Sequence, residues 1–413
     1  MKVLVMAHGH PTLHKGGGEV AAYSLHQMLR EQGYESVFAG WGGRPEDSPG
    51  GVLTEVGQGD YLLFTQSEYF HFSSTSKNLI KGIEILLKRH APDVVHLHHF
   101  VHLGIEVAAV VKRLAPQTRV VMTLHEYLAI CNNNGQLFTK ANEVCTGYRP
   151  ERCHRCFPDI STANFFMREI AIKSALGFVD HFIAPSQFLA DQYLSWGIPA
   201  EKISVMENPL FVRQDLGVHR PAPPKRGQRW KIGFFGQINY YKGLDLIVEA
   251  VRLATERGTK VELGIHGTFS NVNGEAYIEN LKADIADLGD KAVYHGAYRQ
   301  TDVQWLMQQY HFVVMGSRWY ENSPVVIQES ISAGVPLLVP DHGGMKEKAE
   351  HAGLLYPPGS AFGLAHVLVK LNKDDYLSAS AAVETVRSEQ PYLNRNSFES
   401  VLNLYAGRMS EVH

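Results

Sequence analysis

Two glutamates, Glu321 and Glu329, stand eight positions apart in the stretch GSRWYENSPVVIQESISAGVPLLVPDHGGMKE, residues 316–347. Asn322, Ser323 and Pro324 read as a helix start, with Val325 the first apolar residue behind them. Glu321 is then expected in the loop before the helix, and Glu329 a turn or more inside it. Carboxylates so placed can each grip neighbouring hydroxyls, as a sugar and a ribose present them. The plainer alternative, two surface acids by chance, loses weight because both flank a strand–helix edge. After a strand at 336–339, the DHGG turn opens another helix whose amides could hold a distal group.

A cation and a histidine extend the pattern. In WKIGFFGQINYYKGLDLIVEA a strand ends at Gly236, a polar loop begins at Gln237, and Lys242–Gly243 opens a helix. A lysine beside a helix N-terminus opposes the usual charge preference, unless it meets a phosphate brought by a ligand. An ordinary solvated lysine is the competing reading. His125 in VMTLHEY falls just past a strand end, the edge where parallel sheets bind ligands. It could donate a hydrogen bond to a developing charge or a sugar hydroxyl. His98 and His99 in VVHLHH are weaker candidates, and a structural histidine is the alternative for each. Gly16, Gly17 and Gly18 lie at a turn into a helix, where backbone can approach a phosphate or a sugar. The stretch is neither GxGxxG nor a Walker loop.

These residues need a scaffold of strands that end at one edge. Short β-branched runs alternate with helical patterns of 10–15 residues along the whole chain, which predicts an α/β protein of βαβ units on parallel sheets. Proline-rich residues 218–229 (VHRPAPPKRGQR) break the pattern and are expected to be a linker. That gives an N-terminal domain over 1–217, a C-terminal domain over 230–390, and a helical tail over 391–413, broken near Pro391 and packing back on the N-terminal domain. Two such domains facing across a cleft can take one substrate pair between them.

Composition narrows the class. Lys and Arg total 39 against 42 Asp and Glu, a net charge of −3, which argues against a chain built to coat nucleic acid. The apolar start MKVLVMA is too short for a signal peptide core and reads as a first buried strand. A cytoplasmic location is expected, with peripheral association at the inner membrane face compatible with it. The four cysteines, Cys131, Cys145, Cys153 and Cys156, share one polar loop over 131–156. A structural zinc clip competes there with reduced, independent thiols, and the thiols are the favoured reading.

The sequence resembles the large retaining glycosyltransferase family with the two-domain GT-B fold, whose members include bacterial α-mannosyltransferases and α-glucosyltransferases. Nearly the whole chain shares the likeness. The family's glycine loop matches Gly16–Gly18 with Glu19, its histidine matches His125 in TLHEY, its first phosphate motif matches Gly236–Gln237 with Lys242–Gly243, and its paired glutamates match Glu321 and Glu329. Ser186 and Asn208, in APSQFLADQYLSWGI…ISVMENPL, also follow the family. One departure is Gln237, where the family commonly has arginine. Lys242 remains there, and Arg318 is a further cation expected to contribute charge nearby.

The resemblance implies transfer of a hexosyl unit from a nucleoside-diphosphate sugar, UDP- or GDP-linked, to a saccharide or lipid-linked saccharide, forming an α-glycosidic bond. His125, Glu321 and Lys242 become the catalytic set. Gly17, Gly18, Gly236, Gln237, Asn322, Ser323, Pro324, Val325 and Glu329 become the donor-binding set. No metal is required, since no Asp-x-Asp motif is present. A catalytically inactive sugar-nucleotide-binding partner subunit, kept in view by Gln237, and a nucleotide-sugar epimerase on the same fold are the rival readings. An NAD-dependent dehydrogenase would want the GxGxxG that the first turn lacks. Aromatic residues Tyr61, Phe64, Tyr69, Phe70 and Phe72 are weighed as acceptor-lining residues, with core positions the blander reading.

Overall fold

The computed structural model describes residues 1–13, 16–208 and 217–408. The chain divides into two compact units: Met1–Phe211 with Asn394–His413, and Val212–Leu393.

The first unit is built on eight strands: β1 (Lys2–Ala7), β2 (Glu35–Gly43), β3 (Leu53–Gly57), β4 (Asp60–Phe64), β5 (Val94–Leu97), β6 (Arg119–Thr123), β7 (His181–Ala184) and β8 (Ile203–Val205). Their spatial order is β3-β4-β2-β1-β5-β6-β7-β8. Every pairing is parallel except β3 with β4. β1 is apolar on both faces because helices cover both, so Val3, Leu4, Val5, Met6 and Ala7 are all buried. Val3, Val5 and Ala7 pack with Ala22, Leu25 and Leu29 of the helix Gly17–Glu31 and with Phe398, Val401, Leu404 and Tyr405 of the C-terminal helix. Burying such side chains contributes about 1.5–3 kcal/mol each.

The second unit has six parallel strands: β9 (Trp230–Phe235), β10 (Val261–His266), β11 (Ala292–Gly296), β12 (Phe312–Val314), β13 (Leu337–Pro340) and β14 (Gly353–Tyr356), in the order β11-β10-β9-β12-β13-β14. The two-residue period of a strand sorts its core. Ile232, Phe234, Phe312, Val314 and Leu338 pack on one face, and Phe235, Val313, Leu337 and Val339 on the other.

Four elements differ from the sequence reading. Residues 50–75, whose sequence pattern is mixed, contain the β3–β4 hairpin. The cysteine loop contains a short helix, Pro150–Cys156. The tail does not break at Pro391, since one helix runs from Lys373 to Tyr405. Residues 218–229, expected as a linker, are held on the second unit: Arg220 bonds Ser380 O and Glu384, and Tyr376 Oη donates to Pro221 O at 2.7 Å.

Candidate active site

In the first unit three neighbouring parallel strands end together, and each is followed by a histidine: His8 after β1, His98 after β5 and His125 after β6. The helix Gly17–Glu31 begins beside them. It starts two residues earlier than the sequence pattern suggested, so Gly17 and Gly18 form its first turn. Gly18 is a close-approach glycine, because a Cβ there would meet His8 Cε1 at 3.2 Å and the His125 ring at 3.5 Å. Glu19 is buried and bonds His8 Nε2 through Oε1 at 3.2 Å. The structure therefore brings Gly17, Gly18 and His125 to one corner, and adds His8. The sequence reading missed His8, although it carries the same signal as His125, a histidine just past a strand end.

The surrounding histidines are packed and neutral. His98 Nδ1 lies 3.0 Å from His125 Nε2, with the rings stacked at 25°. Burial holds both rings well below the usual histidine range. His99 Nδ1 accepts from the N–H groups of Phe100 and Val101 at 2.9 and 3.0 Å, so its proton sits on Nε2. That Nε2–H donates to Glu126 Oε1 at 3.0 Å. Burial lowers the His99 pKa to about 4 and pushes the Glu126 carboxyl up to about 8, against the opposing pull of the Leu128 N–H and Arg168. His96 bonds Thr123 Oγ1 at 2.8 Å and Tyr405 Oη at 2.5 Å, which makes it a structural histidine.

In the second unit the loops after β9 and β12, neighbouring strands, bring Lys242 and Glu321 together. Lys242 closes a short 3-10 turn, Tyr240–Lys242, where the Asn239 side chain accepts from its N–H at 3.1 Å. Gly243 follows with φ +65° and starts the helix Leu244–Glu256. Only glycine fits there, because a Cβ would lie 1.9 Å from Gly316 O. The contact clamps the lysine loop to the glutamate loop. Lys242 Nζ sits 2.5 Å from Glu321 Oε1, which also accepts from Ser317 Oγ at 2.8 Å and Trp319 Nε1 at 3.1 Å. All three donors converge on Oε1, so Oε2 carries no hydrogen bond from the described residues. The Gly344 N–H bonds Glu321 O at 2.9 Å, so the DHGG turn braces the same loop.

Asn322, Ser323 and Pro324 lead directly into the helix Val325–Ser332, as their types suggested. Glu329 is buried within that helix, and Gln300 Nε2 donates to its Oε1. Burial pushes its carboxyl up to about 7, opposed by that bond. Gly236 and Gln237 follow β9, and Gln237 is exposed. The Arg318 guanidinium forks onto Asp245, bonds Tyr240 O at 2.6 Å and stacks over the Tyr240 ring at 4.1 Å. Its charge is matched by Asp245.

Other candidates fall outside these corners. Tyr61, Phe64 and Phe72 are buried core residues. Burial pushes the Cys131 thiol up to about 11 and the Cys153 thiol to about 12. Among the described residues, no three His, Cys, Asp or Glu side chains are grouped to hold a metal ion.

The sequence profile described as Glycosyltransferase Family 4 matches residues 15–211, and the one described as Glycosyl transferases group 1 matches residues 218–386. The amylovoran biosynthesis glycosyltransferase AmsK of Erwinia amylovora is 27% identical over 48% of this chain and 51% of its own length, so the chain aligns with about half of that relative. The putative colanic acid biosynthesis glycosyl transferase WcaC of Escherichia coli is 23% identical over 95% of this chain and 97% of its own. Among solved structures, HepE of Anabaena in complex with UDP has a similar fold, with a TM-score of 0.68 at 17% identity, covering 98% of this chain and 100% of that one. It has also been solved with UDP-glucose. Sucrose-phosphate synthase of Thermosynechococcus elongatus gives a TM-score of 0.69 at 15% identity, over 98% and 99% of the two chains.

Proposed function

Since the chain belongs to the glycosyltransferases of family 4 and group 1, enzymes of the GT-B fold, we infer that it moves a hexosyl unit from a UDP- or GDP-sugar to a saccharide or lipid-linked saccharide, with retention, forming an α-glycosidic bond. The observation that carries this reading is the Lys242–Glu321 pair, clamped by Gly243 against Gly316 and braced by Gly344. HepE with UDP-glucose supports a uridine donor. The names of AmsK and WcaC support an acceptor on the way to a surface polysaccharide. No helix among the described residues is long and apolar enough to cross a membrane, and we propose action at the cytoplasmic face.

In this reading the donor diphosphate draws Lys242 from Glu321. The ammonium is reachable, with its side chain 30% exposed. It then stabilises the charge that grows on the leaving phosphate. Glu321, still held by Ser317 and Trp319, turns its open Oε2 to sugar hydroxyls. The amides of Asn322, Ser323 and Val325 assist at the helix start, while Pro324 brings no N–H. Gly236 and Gln237 offer backbone to the phosphates, and Glu329 accepts from the ribose hydroxyls. Gly17 and Gly18 let donor phosphate or acceptor approach the first helix, and His125 donates to the sugar. The leaving phosphate takes the acceptor proton, so no pair of glycosidase-like carboxylates is needed.

Glu321→Ala and Lys242→Ala should each lower donor turnover by about 10²–10³-fold. Release of UDP or GDP from a panel of nucleotide sugars, read with a saccharide acceptor, measures it. Transfer at the parent rate by both variants would sink the assignment.

A further inference from the structure

We propose that His98 fixes the tautomer of His125, so that His125 turns an Nδ1–H donor outward. His98 follows β5 and His125 lies just past β6, so the sheet register sets the two rings side by side. His98 Nδ1 and His125 Nε2 are 3.0 Å apart, a distance at which one of the two nitrogens carries the shared proton. Which one is decided on the far side of His98.

His98 is 2% exposed, and its Nε2 has no hydrogen-bond partner among the described residues. A proton on that Nε2 would leave a buried N–H unpaired, which costs about 1–3 kcal/mol. An unfilled acceptor there is the lesser loss, since orphaned N–H groups are the rarer defect in native interiors. The His98 proton therefore sits on Nδ1 and donates to His125 Nε2. Burial keeps His125 neutral, so its own single proton sits on Nδ1.

No described residue engages that Nδ1, and the His125 ring is only partly buried. The other groups around the pair are the rings of His8, His96 and His99 and the first turn at Gly18. His99 is the internal contrast. Its Nδ1 accepts two peptide N–H groups, so it holds the opposite, Nε2–H tautomer. Adjacent histidines on one strand end are thus locked in different protonation patterns by their second nitrogens.

For the transfer reaction this makes His125 a donor to the sugar and not a base. That consequence rests on the sugar-contacting role given to His125 above. His98 is a positioning residue, because it reaches the reaction only through His125.

Long-range proton–nitrogen NMR of the full chain labelled with ¹⁵N-histidine tests the assignment. The His125 signals are identified by their loss in His125→Gln. In the parent protein His125 and His98 should show Nδ1–H, and His99 should show Nε2–H. His98→Asn places an amide donor where Nδ1 stood and should keep the Nδ1–H form. His98→Asp places an acceptor against His125 Nε2, and neutral His125 should shift to Nε2–H. In kinetics His98→Asp should lower kcat at least about tenfold with donor KM unchanged, while His98→Asn stays near the parent. An Nε2–H His125 in the parent protein overturns the proposal. If His98→Asp does not fold, the parent and His98→Asn spectra decide it. If the tautomer shifts while transfer is unchanged, the tautomer assignment stands and the sugar-contacting role of His125 fails.

Discussion

Lys242 and Glu321 are distant in sequence and meet through the loops that carry them. A buried carboxylate is costly unless paired, and the lysine supplies that pairing; in the proposed function a donor phosphate would compete for it. Glu329 is buried, with the Gln300 amide as its hydrogen-bond partner among the described residues, and this has a measurable consequence. Its pKa of about 7 lies above the ordinary glutamate value, so the native state holds a proton that the unfolded chain releases. The stability tied to Glu329 is therefore full below the unfolded value and is lost as pH rises through about 7. Glu329→Gln should stabilise the protein by about 1–3 kcal/mol at pH 8 and have little effect near pH 4.5, read by urea melts at the two pH values. At this scale the types of Glu321, Glu329, Lys242 and His125, and their places in a helix or in the loops after strands, were readable in the chain. The choices of Arg318 for Asp245 and of Gln300 for Glu329 were not, because partners so distant in sequence are selected only by folding.

Among the elements, the short loops that follow parallel strands do the positioning, and their tightness is their signature. Gly243 is the best test. An alanine there would meet a positive φ and a carbonyl oxygen together. Gly243→Ala should cost about 2 kcal/mol or more in urea unfolding and should weaken donor binding, since Lys242 is the preceding residue. The central strands could be read from the sequence because both their faces are buried and their apolar runs are nearly continuous, as in VLVMA of β1. The β3–β4 hairpin was not readable, since LTEVG is short, polar and mostly open to water, with Val56 half-exposed. The helix Pro150–Cys156 escaped for a related reason: PERCHRC has no apolar stripe to give a 3.6-residue period.

In the whole molecule, the C-terminal helix has the longest reach. Tyr376, Ala379 and Val383 join the cores of the second unit, and Phe398, Val401, Leu404 and Tyr405 join that of the first. One helix runs through Pro391, against the break that local propensity predicted. Tyr405 keeps its proton, because burial pushes the phenol well above its usual range, and its hydroxyl is hydrogen-bonded with His96 Nδ1. Tyr405→Phe keeps the packed ring and removes that hydroxyl, so it should cost about 1–3 kcal/mol in thermal or urea melts. An unchanged stability would show that the bond contributes nothing to the tail's attachment. The same helix sets an order on synthesis. The first unit's sheet is made by residue 211, but the tail residues that join its core begin at Phe398. At the usual ribosomal pace of 5–20 residues per second, roughly 10–40 s pass before they emerge. During that interval the apolar face of Val3, Val5 and Ala7 lacks its last cover, so the nascent chain should need a holding chaperone more than the finished enzyme does.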